Sequence, residues 1–103
     1  MADKEFEPLG PTILVHVELP QAKNQEDLQE LHRLAESAGS TICDAIVCRR
    51  DVIEPRTYIG SGKVTELADA VRAHDAKVVV FNCPLTPAQE RNLEKEVGVR
   101  VMD

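Results

Sequence analysis

The sequence has very little aromatic character. Tyr58, Phe6 and Phe81 are its only aromatic residues in 103, and tryptophan is absent. Binding nucleic acid by base stacking needs several rings on one surface, so that mode is excluded as the main one. The core must be aliphatic. Cysteine is also scarce: Cys43, Cys48 and Cys83 are odd in number and show no C-x-x-C spacing. That excludes a disulfide framework and a zinc site of the usual ligand spacing. Reduced thiols of a cytoplasmic protein are the expectation. Cys43 and Cys48 lie an odd number of residues apart, which predicts opposite faces of one strand. His16, His32 and His74 fall on different elements, without metal-ligand spacing. No run approaches the roughly 20 apolar residues of a membrane span. The acidic start, Met1-Ala2-Asp3-Lys4-Glu5-Phe6-Glu7, lacks an apolar signal core.

Positive charge is in deficit too. The net charge is −6, so the whole domain offers no general attraction to phosphate. The deficit is uneven. Residues 48–63 carry Arg49, Arg50, Arg56 and Lys63 against only Asp51 and Glu54. An anionic partner is expected to meet the chain there.

What remains is a regular alternation of elements, in a chain of a size that suits one domain. Residues 1–11 are polar and hold Pro8, Gly10 and Pro11, which predicts a flexible lead-in before a domain at 12–103. Residues 12–19 are β-rich and end at Pro20. Asn24 is placed to cap a helix whose apolar face is Leu28, Leu31, Leu34, Ala35 and Ala38, and Gly39 stops it. A second strand is predicted at 41–48, with Asp44 inside it as a candidate for burial. A helix follows Gly60-Ser61-Gly62, with Val64, Leu67, Ala68 and Val71 on one face. Residues 77–82 form a continuous apolar run of the buried parallel kind. Thr86, Pro87 and Gln89 spell a capping box with proline at the first helical position. Gly98 ends that helix, and residues 99–102 make a last short strand. The pattern β-α-β-α-β-α-β predicts an α/β fold: a small, open, largely parallel four-stranded sheet, order 2-1-3-4, flanked by three helices.

Ligands of such sheets meet the carboxyl ends of the strands. The segment 49–63 lies there. Gly60-Ser61-Gly62-Lys63 is expected to let the backbone turn tightly and to offer a helix N-terminus to an anion. Arg49, Arg50 and Arg56 would add charge. The segment is not a P-loop: position 57 is Thr57 where a glycine is needed, and Val64 stands where Ser or Thr should follow the lysine. A dinucleotide fingerprint would need glycine at Thr65. Gln89, Arg91 and Asn92 are polar groups on the third helix. No catalytic residue set and no metal site emerges.

Two strings carry a resemblance. Tyr58-Ile59-Gly60-Ser61-Gly62-Lys63-Val64-Thr65-Glu66-Leu67 and Leu85-Thr86-Pro87-Ala88-Gln89-Glu90-Arg91-Asn92-Leu93-Glu94 resemble segments of the HflX family of ribosome-associated GTPases. Asp27-Leu28-Gln29-Glu30-Leu31 and Val99-Arg100-Val101-Met102-Asp103 are similar to flanking regions. Asn82 stands where an acidic residue is common in that family. The resemblance covers about residues 12–103, the N-terminal domain, and no GTPase domain lies within the 103 residues. It implies a parent that binds GTP and Mg2+ and acts on the large ribosomal subunit in ribosome splitting or rescue. The chain itself needs no cofactor under that reading. It implies rRNA and the parent's own GTPase domain in cis as partners, with Gly60, Ser61, Gly62, Lys63, Arg56, Arg49 and Arg50 as phosphate contacts. Tyr58, Gln89, Arg91 and Asn92 would form a polar surface. Weak ATP or nucleotide-phosphate binding, and a purely structural domain packed on the GTPase domain, stand as alternatives.

Overall fold

A computed structural model of the protein describes residues 10–18, 25–49 and 53–103, and the side chains of all of these except 25–28. The elements are β1 (Gly10–Glu18), α1 (Gln25–Ser37), β2 (Ser40–Arg49), α2 (Ser61–His74), β3 (Val78–Phe81), α3 (Pro87–Val97) and β4 (Arg100–Met102). The sheet order is β2-β1-β3-β4 and every pairing is parallel. This is the alternation and the order that the sequence predicts.

β1 is central, so its residues 12–17 are buried on both faces. Alternate residues serve two different layers. Ile13, Val15 and Val17 join Val79, Phe81 and Val101 in one core with Val64, Leu67, Ala68 and Val71 of α2 and Leu93 and Val97 of α3. Burying each large aliphatic side chain here stabilises the fold by about 1.5–3 kcal/mol. Thr12, Leu14 and His16 face the other way. There α1 packs on β2 and β1.

One strand departs from simple alternation. Thr12 pairs with Ile42, but Ile13 pairs with Asp44, so Cys43 is an extra, bulged residue. A bulge shifts the side-chain parity by one. Cys43 consequently packs against the same core as Cys48, and the expectation of opposite faces is corrected. Asp44 is exposed rather than buried; its Oδ1 accepts from the Ala45 backbone N–H at 2.8 Å and its Oδ2 lies 3.7 Å from His74 Nε2.

The helix ends follow their local chemistry. α3 begins with the full capping box: Thr86 Oγ1 accepts from Gln89 N, Gln89 Oε1 accepts from Thr86 N, and Pro87 fills the first turn. Gly98 closes it in the left-handed region at φ 80°. α1 ends before Gly39, at φ 90°. The predicted cap at Asn24 lies outside the described residues. On the apolar face expected for α1, Ala35 is buried, but Leu34 is 60% exposed and Ala38 is exposed.

Candidate phosphate-contacting surface

Residues 54–58, ahead of α2, fold into a tight reverse turn. Glu54 and Tyr58 exchange both backbone hydrogen bonds, at 3.1 and 2.8 Å. Tyr58 takes φ 70°, a conformation that costs an ordinary L-residue roughly 1–2 kcal/mol. The turning that the glycines were expected to provide is therefore done by Tyr58. Gly60 is extended, at φ −71° and ψ 163°. Thr57 is buried and its hydroxyl donates to Ile59 O at 2.7 Å.

α3 holds this turn in place. Gln89 is buried, and its Nε2 donates to the carbonyls of Pro55 at 3.2 Å and Glu54 at 3.4 Å. Asn92 Nδ2 donates to Arg56 O at 3.1 Å. Tyr58 is buried, and its phenol lies close enough to the Cys83 thiol beyond β3 for the two to influence each other's ionisation. Burial, then the thiol, push the Tyr58 pKa up to about 12. Burial also pushes the Cys83 thiol up, against the lowering effect of the Tyr58 phenol. Of the polar residues grouped by the sequence, Tyr58, Gln89 and Asn92 are thus engaged inside the domain, while Arg91 is exposed.

The turn delivers the start of α2. Gly60 gives it no side-chain cap, and no acidic residue stands in its first turn. Its leading N–H groups therefore lack the usual internal acceptor, and the helix dipole adds partial positive charge there. Gly62 has open space where a Cβ would sit, with no heavy atom within 4 Å. Lys63 pairs with Glu66 at 3.0 Å, and Arg56 pairs with Glu96 at 3.4 Å. Both pairs are exposed, worth about 0–1 kcal/mol, and readily yielded to a competing anion. A cavity of about 240 Å³ lies among Glu54, Arg56, Thr57, Ser61, Thr65 and Glu96, so two carboxylates share its lining with Arg56.

The expected basic cluster is divided. Arg49 is in register with Glu18 on the α1 face of the sheet, and its Nε donates to Glu18 Oε1 at 2.9 Å. α2 lies on the opposite face. Arg50 lies outside the described residues. Of the predicted cations among the described residues, Arg56 and Lys63 belong to the α2 side. Sequence reading named His16 and Asn82 but gave neither a structural role. His16 is 1% exposed, with neither ring nitrogen hydrogen-bonded. Asn82 imitates a strand residue: Val17 N donates to its Oδ1 at 2.8 Å and its Nδ2 donates to Val17 O at 3.2 Å. His16 sits inside an apolar run, which is the signal that a polar residue there is buried, while Asn82 follows one and is half-buried. Among the described residues no group of three His, Cys, Asp or Glu is placed to hold a metal ion, and no helix is long and apolar enough to cross a membrane.

Comparison with known proteins places this geometry. Residues 25–103 match a family model described as the N-terminal region of GTP-binding GTPases. Over 91 residues the chain is 45% identical to GTPase HflX of Escherichia coli, covering 88% of this chain and 21% of that protein. It is 41% identical over 76 residues to GTPase HflX of Lacrimispora saccharolytica, covering 74% and 18%, and 40% identical over 76 residues to GTPase HflX of Thermofilum pendens, with the same coverage. The chain thus spans about a fifth of the length of these relatives. Among solved structures, two SsGBP mutation variants share the fold, with TM-scores of 0.68 and 0.66 at 17% and 15% identity, covering 90% and 89% of this chain and 28% of theirs. The chain belongs to the HflX family, and what it matches is the N-terminal region of that family's GTP-binding members.

Proposed function

We propose that this domain, residues 12–103 behind a short lead-in, is the RNA-contacting module of an HflX-type GTPase acting on the large ribosomal subunit in the cytoplasm. The observation that carries the reading is the bare start of α2. Its N–H groups have no side-chain cap, no carboxylate opposes an incoming anion in the first turn, and Gly62 leaves room for close approach. Ser61, Gly62 and Lys63 would contact an rRNA phosphate, with Arg56 beside them. Gln89 and Asn92 hold the turn that presents this surface.

GTP and Mg2+ belong to the family's chemistry and do not fit these residues. Gly60 is extended, Thr57 is buried and bonded to Ile59 O, and Lys63 faces Glu66. Among the described residues no phosphate-wrapping loop is formed, and we assign hydrolysis to a GTPase domain in cis.

The test is sedimentation with purified large subunits over a range of salt. The Lys63→Ala, Arg56→Ala double variant is expected to bind more weakly and to lower the slope of log affinity against log salt by about 1 for each phosphate no longer neutralised. Unchanged affinity and slope would remove the surface from consideration. The cavity beside Ser61 favours a second reading, binding of a nucleotide phosphate. Under that reading millimolar ATP would shift the amide signals of Gly60, Gly62 and Lys63 saturably.

A further inference from the structure

The sheet is open, so β2 and β4 are its edge strands. An edge strand turns a row of backbone N–H and C=O groups outward, where a strand of another molecule can pair with them. Successive residues of a strand point these groups to opposite sides. In β4 the outward donor is Val101. It is not left to solvent: Glu94 of α3 reaches the edge, and its half-buried carboxylate accepts from Val101 N at 3.0 Å. The opposite edge of the sheet has the same arrangement. Ala45 N of β2 donates to Asp44 Oδ1 at 2.8 Å, and the second oxygen of that carboxylate lies 3.7 Å from His74 Nε2. The bulge at Cys43 falls just before Asp44 and breaks the line of the edge.

We infer that Asp44 and Glu94 are edge blocks: each occupies an outward backbone donor, and together they keep a second copy of this chain from extending the sheet. The two carboxylates come from different elements, one from the edge strand itself and one from a helix, yet they do the same thing at the two edges. A second copy is the partner they exclude, because every copy brings both edges. β2 of one copy set against β4 of the next leaves an edge free at each end, so the contact does not close and further copies add. The blocks act on the first such step. An incoming strand must break a charge-assisted hydrogen bond and bring its own carbonyl groups up to a carboxylate. Glu94 ends the string of residues 85–94, and its contact with Val101 gives it a task apart from the phosphate surface. The inference therefore stands or falls independently of the RNA-contacting reading.

Sedimentation equilibrium of the 103-residue chain tests it, with deuterium exchange of the Val101 amide beside it. The parent is expected to stay a monomer of 11.4 kDa as concentration is raised. The Asp44→Ala, Glu94→Ala variant should show a mass that climbs with concentration to at least about twice the parent's. In the Glu94→Ala single variant the Val101 amide should exchange about tenfold faster or more. Two further variants separate the block from other causes of association. Asp44→Asn, Glu94→Gln removes the same two charges but keeps an acceptor oxygen at each site, so it should stay monomeric. Gln89→Ala weakens the fold without touching either edge, and it should stay monomeric as well. A monomeric alanine double variant, or Val101 exchange equal to the parent's, would overturn the inference. So would association of the Asn and Gln double variant, which would trace the effect to net charge, or of Gln89→Ala, which would trace it to unfolding.

Discussion

Replacing Gln89 should uncouple the turn from α3, and the structure sets the scale. The side chain is 7% exposed and makes three hydrogen bonds. Its Oε1 completes the capping box, and loss of such a cap costs about 1 kcal/mol. Its Nε2 serves two backbone carbonyls, and each of those bonds contributes about 0.5–1.5 kcal/mol. Gln89→Ala is therefore expected to lower unfolding free energy by roughly 2–4 kcal/mol. For a domain of this size that is a drop in Tm on the order of 10–25 °C. Gln89→Glu separates the two roles. It keeps the cap acceptor but turns a negative charge toward the Glu54 and Pro55 carbonyls. In the folded state that carboxyl would be raised above its unfolded value. Protonation favours folding for such a group, so the loss is largest at neutral pH and shrinks as pH falls through the raised value. Urea unfolding at pH 7 and near pH 4, compared with the parent at each pH, reads both effects. A Gln89→Ala cost under about 0.5 kcal/mol would refute the claim that Gln89 ties the turn to α3, and an equal Gln89→Glu penalty at both pH values would refute the role given to its amide donor.

Two further outcomes follow from the same geometry. Tyr58 is the only tyrosine, so ultraviolet absorbance titration near 295 nm reads it alone; its midpoint should lie at about 12 in the folded protein and near 10 in urea. Because the folded value is the raised one, the phenol's contribution to stability is fully present below 10 and is lost as pH rises through 12; a Tyr58→Phe variant should lack that component, and a folded midpoint of 10 would show the ring to be solvated. Gly62→Ala should stabilise the domain by about 0.4–1 kcal/mol, since no positive φ and no close neighbour requires glycine there, while weakening large-subunit binding. A stabilised variant with parental affinity would show that nothing approaches Gly62 closely.

Much of the fold was legible because each signal was local. The capping box at Thr86 and Gln89, the glycine stops at Gly39 and Gly98, and the run of valines in β3 each state their element within a few residues. The failures were of another kind. Bulging of Cys43 depends on how β2 lies against β1, so counting parity along β2 alone put Cys43 on the wrong face. Leu34 falls at helical spacing with Ala35, yet burial depends on what lies beneath a helix, and nothing in α1 says that it stops short of β3. The charge count at 48–63 was sound, but a linear count cannot see that Arg49 and Lys63 end on opposite faces of the sheet. Positive φ at Tyr58 was hidden for a similar reason: two glycines stood nearby, and the turn is held by Gln89 and Asn92, 34 to 36 positions from the carbonyls they bind.

The two strings that carried the family resemblance prove to be a single object. Residues 58–67 and 85–94 are apart in sequence, but Gln89 and Asn92 from one hold the carbonyls of residues 54–56 just before the other. Similarity there reports, in large part, the constraint of building one turn against one helix. That allows a subtraction. Tyr58, Ile59, Leu67, Gln89, Asn92 and Leu93 are consumed by burial or internal hydrogen bonds. Gly62, Lys63 and Arg91 are left with no internal demand stronger than an exposed ion pair. A glycine costs roughly 0.5–1 kcal/mol relative to alanine inside a helix, and at Gly62 nothing within the domain repays that cost. The residues that the fold does not need are the ones we propose an outside partner engages: Gly62 and Lys63 at the uncapped start of α2, and Arg91 on α3.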